Sequence, residues 1–352
     1  MQRVLLAIIL ALMSMSSSAG LEAQTEIFAR GATLRIGGRL HTQYFSSFVE
    51  EKQSDFFVRR ARLIVEGTFT DFITGRFQTD FAFGQATLLD AYIRMNFSDG
   101  FQLSFGHLKR AFDIFELASS TDLSLIERTG VVVGYNQCTG VGRLCSYSRL
   151  TEGLLLSGRD TGIRFDGSFG RVSYQATITN GTPLATLDVN NAKSLAGRVS
   201  FLATNNVQVS GNATYKDYLD PDDETAYAFA WGGDVQVGTW RDGLLLQVAL
   251  VAGDNWRSLD AQHVAGKFVT GQVAASYYFP IDNDRVIAIE PIGRISVADP
   301  DGTVDADGGT LLTPGMMFYF LGKNKFGFNY DYYRPRTGDS VSSFRFATFL
   351  YF

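Results

Sequence analysis

The sequence is poor in the residues that most often carry chemistry. Its 352 residues hold three histidines (His41, His107, His263) and two cysteines (Cys138, Cys145). Period-two reading puts His41 on a polar strand face, His107 on an apolar one and His263 in a loop. No nucleophile–histidine–acid set and no metal set converges from that pattern, which argues against an enzyme or a cofactor. With only seven prolines, long strands can run without losing ladder hydrogen bonds. Basic residues are not in excess either. Thirty-one Lys and Arg against 36 Asp and Glu leave a formal charge of −5, which offers no general surface for nucleic acid. Beyond the N-terminus no apolar run approaches the ~18–20 residues that a membrane-crossing helix needs.

The N-terminus reads differently. Arg3 precedes an apolar run from Val4 to Met13, followed by small residues. Too short to span a bilayer, the run reads as a secretory signal peptide over residues 1–23, cut after Ala19 or Ala23. Export implies an oxidising compartment. Cys138 and Cys145 are therefore expected to pair as a disulfide, since ligands for a metal site are missing nearby.

What is abundant is glycine, with 36 residues, and aromatics, with 29 Phe and 15 Tyr. After Gln24 the chain repeats one rhythm of about ten residues of strict alternation, then a break. Leu34, Ile36, Gly38 and Leu40 oppose Arg35, Gly37, Arg39 and His41. Phe77, Thr79 and Phe81 oppose Arg76, Gln78 and Asp80. Such alternation marks strands with one apolar and one polar face. The breaks alternate in length. Short ones fall at 69–72, 98–100, 169–170, 204–206, 240–243, 280–284 and 322–324. Longer ones fall near 45–54, 84–87, 109–158, 181–193, 217–224, 254–263, 298–309 and 335–341. Fifteen breaks separate sixteen strands. Antiparallel order then gathers the short breaks at one end and the long ones at the other. A soluble sandwich has no reason to sort its turns this way. A 16-stranded antiparallel transmembrane β-barrel over residues 24–352 does, with short periplasmic turns, long extracellular loops, an apolar outer face and a polar lumen. That places it in a bacterial outer membrane, in contact with lipid and lipopolysaccharide.

The C-terminal stretch SSFRFATFLYF agrees. Phe344, Phe346, Thr348, Leu350 and Phe352 share the outward parity of a closing strand, and Phe352 falls at the periplasmic rim, where an aromatic girdle is favourable. A closed barrel pairs its last strand with its first. The ending also resembles the C-terminal aromatic signal read by the barrel-assembly machinery.

Three stretches, FFVRRARLIVEG (56–67), LLDAYIRMNFSDGFQLSFGHLKRAF (88–112) and SSTDLSLIERTG (119–130), resemble the phosphate-selective porin O and P family. The resemblance implies a homotrimeric sixteen-stranded channel whose loops fold inward and whose arginines line the path. On that likeness Arg60 and Arg62 are lumen positions, and Lys109, Arg110, Glu127 and Arg128 belong to the constriction loop within 109–158. The clustered lysines of phosphate-specific members are missing. Lys109 stands almost alone, and Asp113, Glu116, Asp122 and Glu127 dilute its charge.

Parity sorts the arginines independently. Arg35, Arg39, Arg60, Arg62, Arg76, Arg94, Arg164, Arg198, Arg294 and Arg345 fall on the polar face, because an arginine in lipid at the midplane costs about 2–4 kcal/mol. Arg59 falls on the outward parity, where it would snorkel to lipid phosphates. Glu66, Asp80, Asp90, Asp166, Asp234, Glu290 and Asp331 face inward, so the arginines are either paired wall struts or the source of an anion-attracting field. The acidic loops 217–224 and 298–309 lack EF-hand spacing and read as solvated. The expected function is passive diffusion of small, preferentially phosphate- or carboxylate-bearing solutes. A non-conducting adhesin or structural barrel is the alternative.

Overall fold

The computed structural model describes residues 25–29, 31–48, 54–129, 146–182 and 187–352. The signal-peptide reading and the pairing of Cys138 with Cys145 fall outside these residues. Sixteen strands form the ring: β2 (Ala32–Ser47), β3 (Ser54–Thr68), β4 (Ile73–Asp80), β5 (Thr87–Ser98), β6 (Phe101–Lys109), β7 (Arg159–Phe169), β8 (Val172–Thr179), β9 (Ser194–Thr204), β10 (Val207–Leu219), β11 (Thr225–Thr239), β12 (Asp242–Leu259), β13 (Ala265–Tyr277), β15 (Ala288–Asp299), β16 (Gly309–Tyr319), β17 (Lys325–Pro335) and β18 (Val341–Tyr351). Each pairs antiparallel with its sequence neighbour. β18 closes on β2 from Ser343↔Ser47 to Tyr351↔Arg39. Two short strands add to the ring without changing its count. β1 (Thr25–Ala29) pairs with the first residues of β2, and β14 (Phe279–Pro280) prolongs β13 against β15.

Alternation is kept around the ring. Along β15 the buried Glu290, Arg294 and Ser296 face in, while Ile295 and Val297 are exposed on the outer face. Exposed aromatics form two outer bands. Phe69, Phe97, Phe101, Phe169, Phe279 and Phe352 lie at the short-turn end, and Phe48, Phe56, Phe81, Tyr227 and Trp231 at the other. The seam is finished by Phe352, whose carbonyl accepts from Gly38 at 2.7 Å and whose amide donates to the Gly38 carbonyl at 3.2 Å. Its ring lies across Gly38, where a Cβ would come within 2.4 Å of it. A glycine is needed opposite that ring.

Three differences from the sequence reading have physical causes. Connections 220–224, 260–264 and 336–340 are only five residues long, shorter than turn 281–287, because β10, β12 and β17 extend past the positions where alternation weakens. In the second acidic loop Asp301 and Asp307 are buried rather than solvated, and Asp301 accepts from Ser258 and from Thr303. Arg59 does not face outward. His41 pairs with Arg60 and Thr42 with Val58, so Arg59 is the extra residue of a β-bulge, and the local twist turns it inward.

Candidate permeation site

The described parts of the segment joining β6 to β7, 110–129 and 146–158, enter the barrel. They carry a one-turn helix α1 (Ile114–Leu117) and a longer helix α2 (Tyr147–Gly153). Ser146 caps α2, accepting from the Arg149 amide at 3.3 Å. Asp113, at φ 72°, joins the two helices, accepting from Phe115 N at 2.9 Å, Tyr147 OH at 3.1 Å and Thr151 Oγ1 at 3.0 Å. Burial, then repulsion from Glu116, pushes its carboxyl up to about 7.

Apolar packing fixes the segment to one wall. Phe112, Phe115, Tyr147, Leu150, Leu154 and Leu156 form a core with the inward Ala196, Ala230, Ala249, Val251, Phe268 and Ala298. Small wall residues leave the volume that the loop fills. Polar bonds then carry the loop's tip across to the remaining strands. Lys325 donates to the Leu123 carbonyl at 2.6 Å, Asn329 accepts from the Ile126 amide at 2.8 Å, and Arg294 donates to the Arg128 carbonyl at 2.8 Å. Glu127 ends in a cluster of donors, with Gln43 Nε2 at 2.6 Å, Arg59 Nε at 2.7 Å and Arg60 Nη2 at 3.3 Å. Those arginines hold its carboxyl well below the usual range against the cost of burial.

Between the tip and the wall from β2 to β7 remains a cavity of about 210 Å³. Eight arginines line it (Arg39, Arg60, Arg62, Arg76, Arg94, Arg128, Arg159 and Arg164) together with Lys109, and among the described residues Asp90 is the sole lining acid. Acids behind the lining orient these side chains. Asp80 holds Arg62 at 2.6 Å, Glu66 and Asp90 hold Arg76, Asp90 holds Arg159 at 2.6 Å, Asp166 holds Arg164 at 2.7 Å and Arg94 at 3.4 Å, and Glu116 holds Arg128 at 3.1 Å. Arg39 differs. Buried to 5% exposure, it donates to Ser120 Oγ at 2.6 Å and meets no carboxylate among the described residues. Lys109 donates to the carbonyls of Leu117 and Ala118.

Not every parity-sorted arginine meets in this cavity. Arg35 lines a second cavity, of about 270 Å³, towards the short-turn end, which shares Arg39, Arg76 and Ser119 with the first. Arg198 pairs with Asp234 beneath the loop's core, and Arg294 and Arg345 share Asp331. Arg110 donates to the Leu155 carbonyl instead of facing the cavity. Sequence reasoning missed Arg159, at the first residue of β7, and Ser120. The loop boundary drawn at 158 hid the arginine, and nothing in the local pattern marks the serine.

A profile described as phosphate-selective porin O and P matches residues 34–225, more than half of the chain. The chain belongs to that family. Solved structures agree on the fold of this porin. The outer membrane channel DcaP of Acinetobacter baumannii has a TM-score of 0.66 at 11% identity, over 93% of this chain and 99% of that one. An anion-selective porin from Comamonas acidovorans has a TM-score of 0.65 at 12% identity, over 91% and 100%. Salmonella typhi OmpF, in complex with daunomycin, has a TM-score of 0.63 at 13% identity, over 93% and 100%. No curated protein sequence matches. The porin is an outer-membrane channel, its short turns periplasmic and its loop end extracellular.

Proposed function

We propose that this porin passes small anions, phosphate- or carboxylate-bearing, along the arginine-lined side of its lumen. The observation that carries the reading is the cavity lining, nine cationic side chains against one lining acid. The salt bridges do not cancel it. A guanidinium has five donors and a carboxylate occupies at most two of them, so a paired arginine still offers donors to a solute. Six carboxylates (Glu66, Asp80, Asp90, Glu116, Glu127 and Asp166) match the nine cations, which leaves a positive surplus. In a narrow passage that surplus is screened less than the acids of the outer loops. We further propose a homotrimer, export by the signal peptide over 1–23, a Cys138–Cys145 disulfide and Phe352 as the assembly signal. Deleting Phe352 should reduce inserted protein without changing the conductance of what inserts.

The test is the reversal potential of single channels in a salt gradient. The parent should prefer anions, and Arg60→Gln with Arg62→Gln should move it towards cations. A parent that prefers cations, or an unmoved double variant, would make the arginines wall struts.

A further inference from the structure

A second cluster of ligating groups stands outside the lumen, above β10–β13. Two five-residue connections lie there, 220–224 and 260–264, and they are built alike. In each, the first aspartate donates its amide to the fifth residue's carbonyl, Asp220 to Glu224 and Asp260 to Val264, both at 3.0 Å. Its Oδ1 accepts from the third and fifth amides, all four bonds at 2.8–2.9 Å. The fourth residue, Asp223 or His263, is left-handed, with φ 61° and 60°. Asp220 therefore closes its own loop with Oδ1, which leaves Oδ2 facing His263 Nδ1 at 3.7 Å. Asp222 Oδ2 approaches the same nitrogen at 3.3 Å. One ligand atom from each of the three residues lies within 4.8 Å of the other two.

We infer that Asp220, Asp222 and His263 form a site for a divalent transition metal of the Zn²⁺ class. A tetrahedral ion with bonds of about 2.0–2.2 Å holds its ligand atoms roughly 3.3–3.6 Å apart, and the two histidine–aspartate distances lie close to that. One imidazole and two carboxylates suit zinc. Calcium asks for six to eight oxygens. Three protein ligands leave a fourth position for water, and the His263 and Asp222 side chains, 33% and 72% exposed, leave the site open to solvent. A bound ion would tie two neighbouring hairpins at the extracellular rim. The sequence pattern could not assemble this set, because its histidine arrives from the next hairpin.

The chain makes the test clean, since its other histidines, His41 and His107, are buried in the wall. ZnCl₂ is titrated calorimetrically into the full chain in detergent at pH 7.5, in a Cys138→Ser/Cys145→Ser background. One ion per chain is expected. Binding should vanish in His263→Asn, chosen because asparagine tolerates the left-handed backbone, and weaken at least tenfold in Asp222→Asn. It should fade at pH 5, where protons compete for the ligands. Retained heat-modifiable gel mobility shows that each variant is folded. No binding by the parent, or equal binding by a folded His263→Asn, would leave only a histidine–carboxylate contact and overturn the site.

Discussion

The strands from β2 to β7 and those from β9 to β15 share one alternation, yet they turn different side chains inward. On the first wall stand Arg39, Arg60, Arg62, Arg76, Arg94 and Arg164. On the second stand Ala196, Ala230, Ala249 and Ala298, with Val251 and Phe268. Long charged side chains occupy the wall that borders the open cavity, because a guanidinium must remain hydrated or hydrogen-bonded. Small apolar ones occupy the wall against which the loop buries its leucines and aromatics. Arg198 and Arg294 test the rule from within. Both lie on the second wall, and there each is matched, Arg198 by Asp234 through two hydrogen bonds and Arg294 by Asp331 and the Arg128 carbonyl. The division of labour teaches that the inward face of a barrel need not be uniformly polar. It is polar where a cavity remains, and elsewhere it behaves as a folding core.

The largest effect should come from undoing the second wall. Leu150→Glu places a charge in a fully buried position of the loop's core, so the loop should leave the lumen and single-channel conductance should rise several-fold. Unchanged conductance, with normal heat-modifiable mobility, would mean that the loop does not set the passage. Next is the contact that joins the walls. Glu127→Gln leaves Arg59 and Arg60 without their counter-charge at a cost of roughly 3 kcal/mol, the lower end for breaking a buried pair. Reversal-potential measurements should show a stronger anion preference, and protease should cut the loop faster. A smaller effect should separate the walls directly. Arg39→Gln should weaken anion preference measurably, while the matched removal Arg198→Gln/Asp234→Asn should leave it alone. Equal shifts would erase the distinction between the walls.

The smallest effect concerns pH. Asp113 titrates at about 7 in the packed loop, against an ordinary carboxyl value near 4. The packed loop therefore binds a proton that the released loop gives up. Packing is favoured at low pH and weakens as pH rises through that window to about 7. Glu127, held low by its arginines, acts in the opposite sense, and its contribution is lost progressively as pH falls below the ordinary carboxyl range. Loop closures in current traces should lengthen from pH 8 to pH 5.5, and Asp113→Asn should flatten that dependence.

Much of this was legible in the residues. Strict alternation identified the strands, since period two is a local property and lipid punishes errors in it. Closure followed from the lipid setting, which leaves no strand edge unpaired. The asymmetry between walls was not legible, because alanine and arginine both fit an inward position and only the loop's docking distinguishes them. Arg59 escaped because a bulge breaks parity without a mark in the pattern. Arg39 looked like its neighbours, and its lack of a carboxylate depends on which acids the sheet register brings opposite. The ion pairs themselves follow from register as well. Asp80 stands across from Arg62, and Glu66 across from both Arg35 and Arg76.

The alanines under the loop have one more consequence. The tip that bounds the arginine cavity is positioned by a body resting on Ala230 and Ala249, both almost fully buried. Those two methyl groups act as spacers, and the bore on the far side of the barrel inherits their thickness. A bulkier residue at either position would press the loop towards Arg39 and Arg62 and tighten a passage that it never touches. The calibre of this channel can thus drift through changes remote from every charged group in it, while the preference for one sign of charge stays where it is.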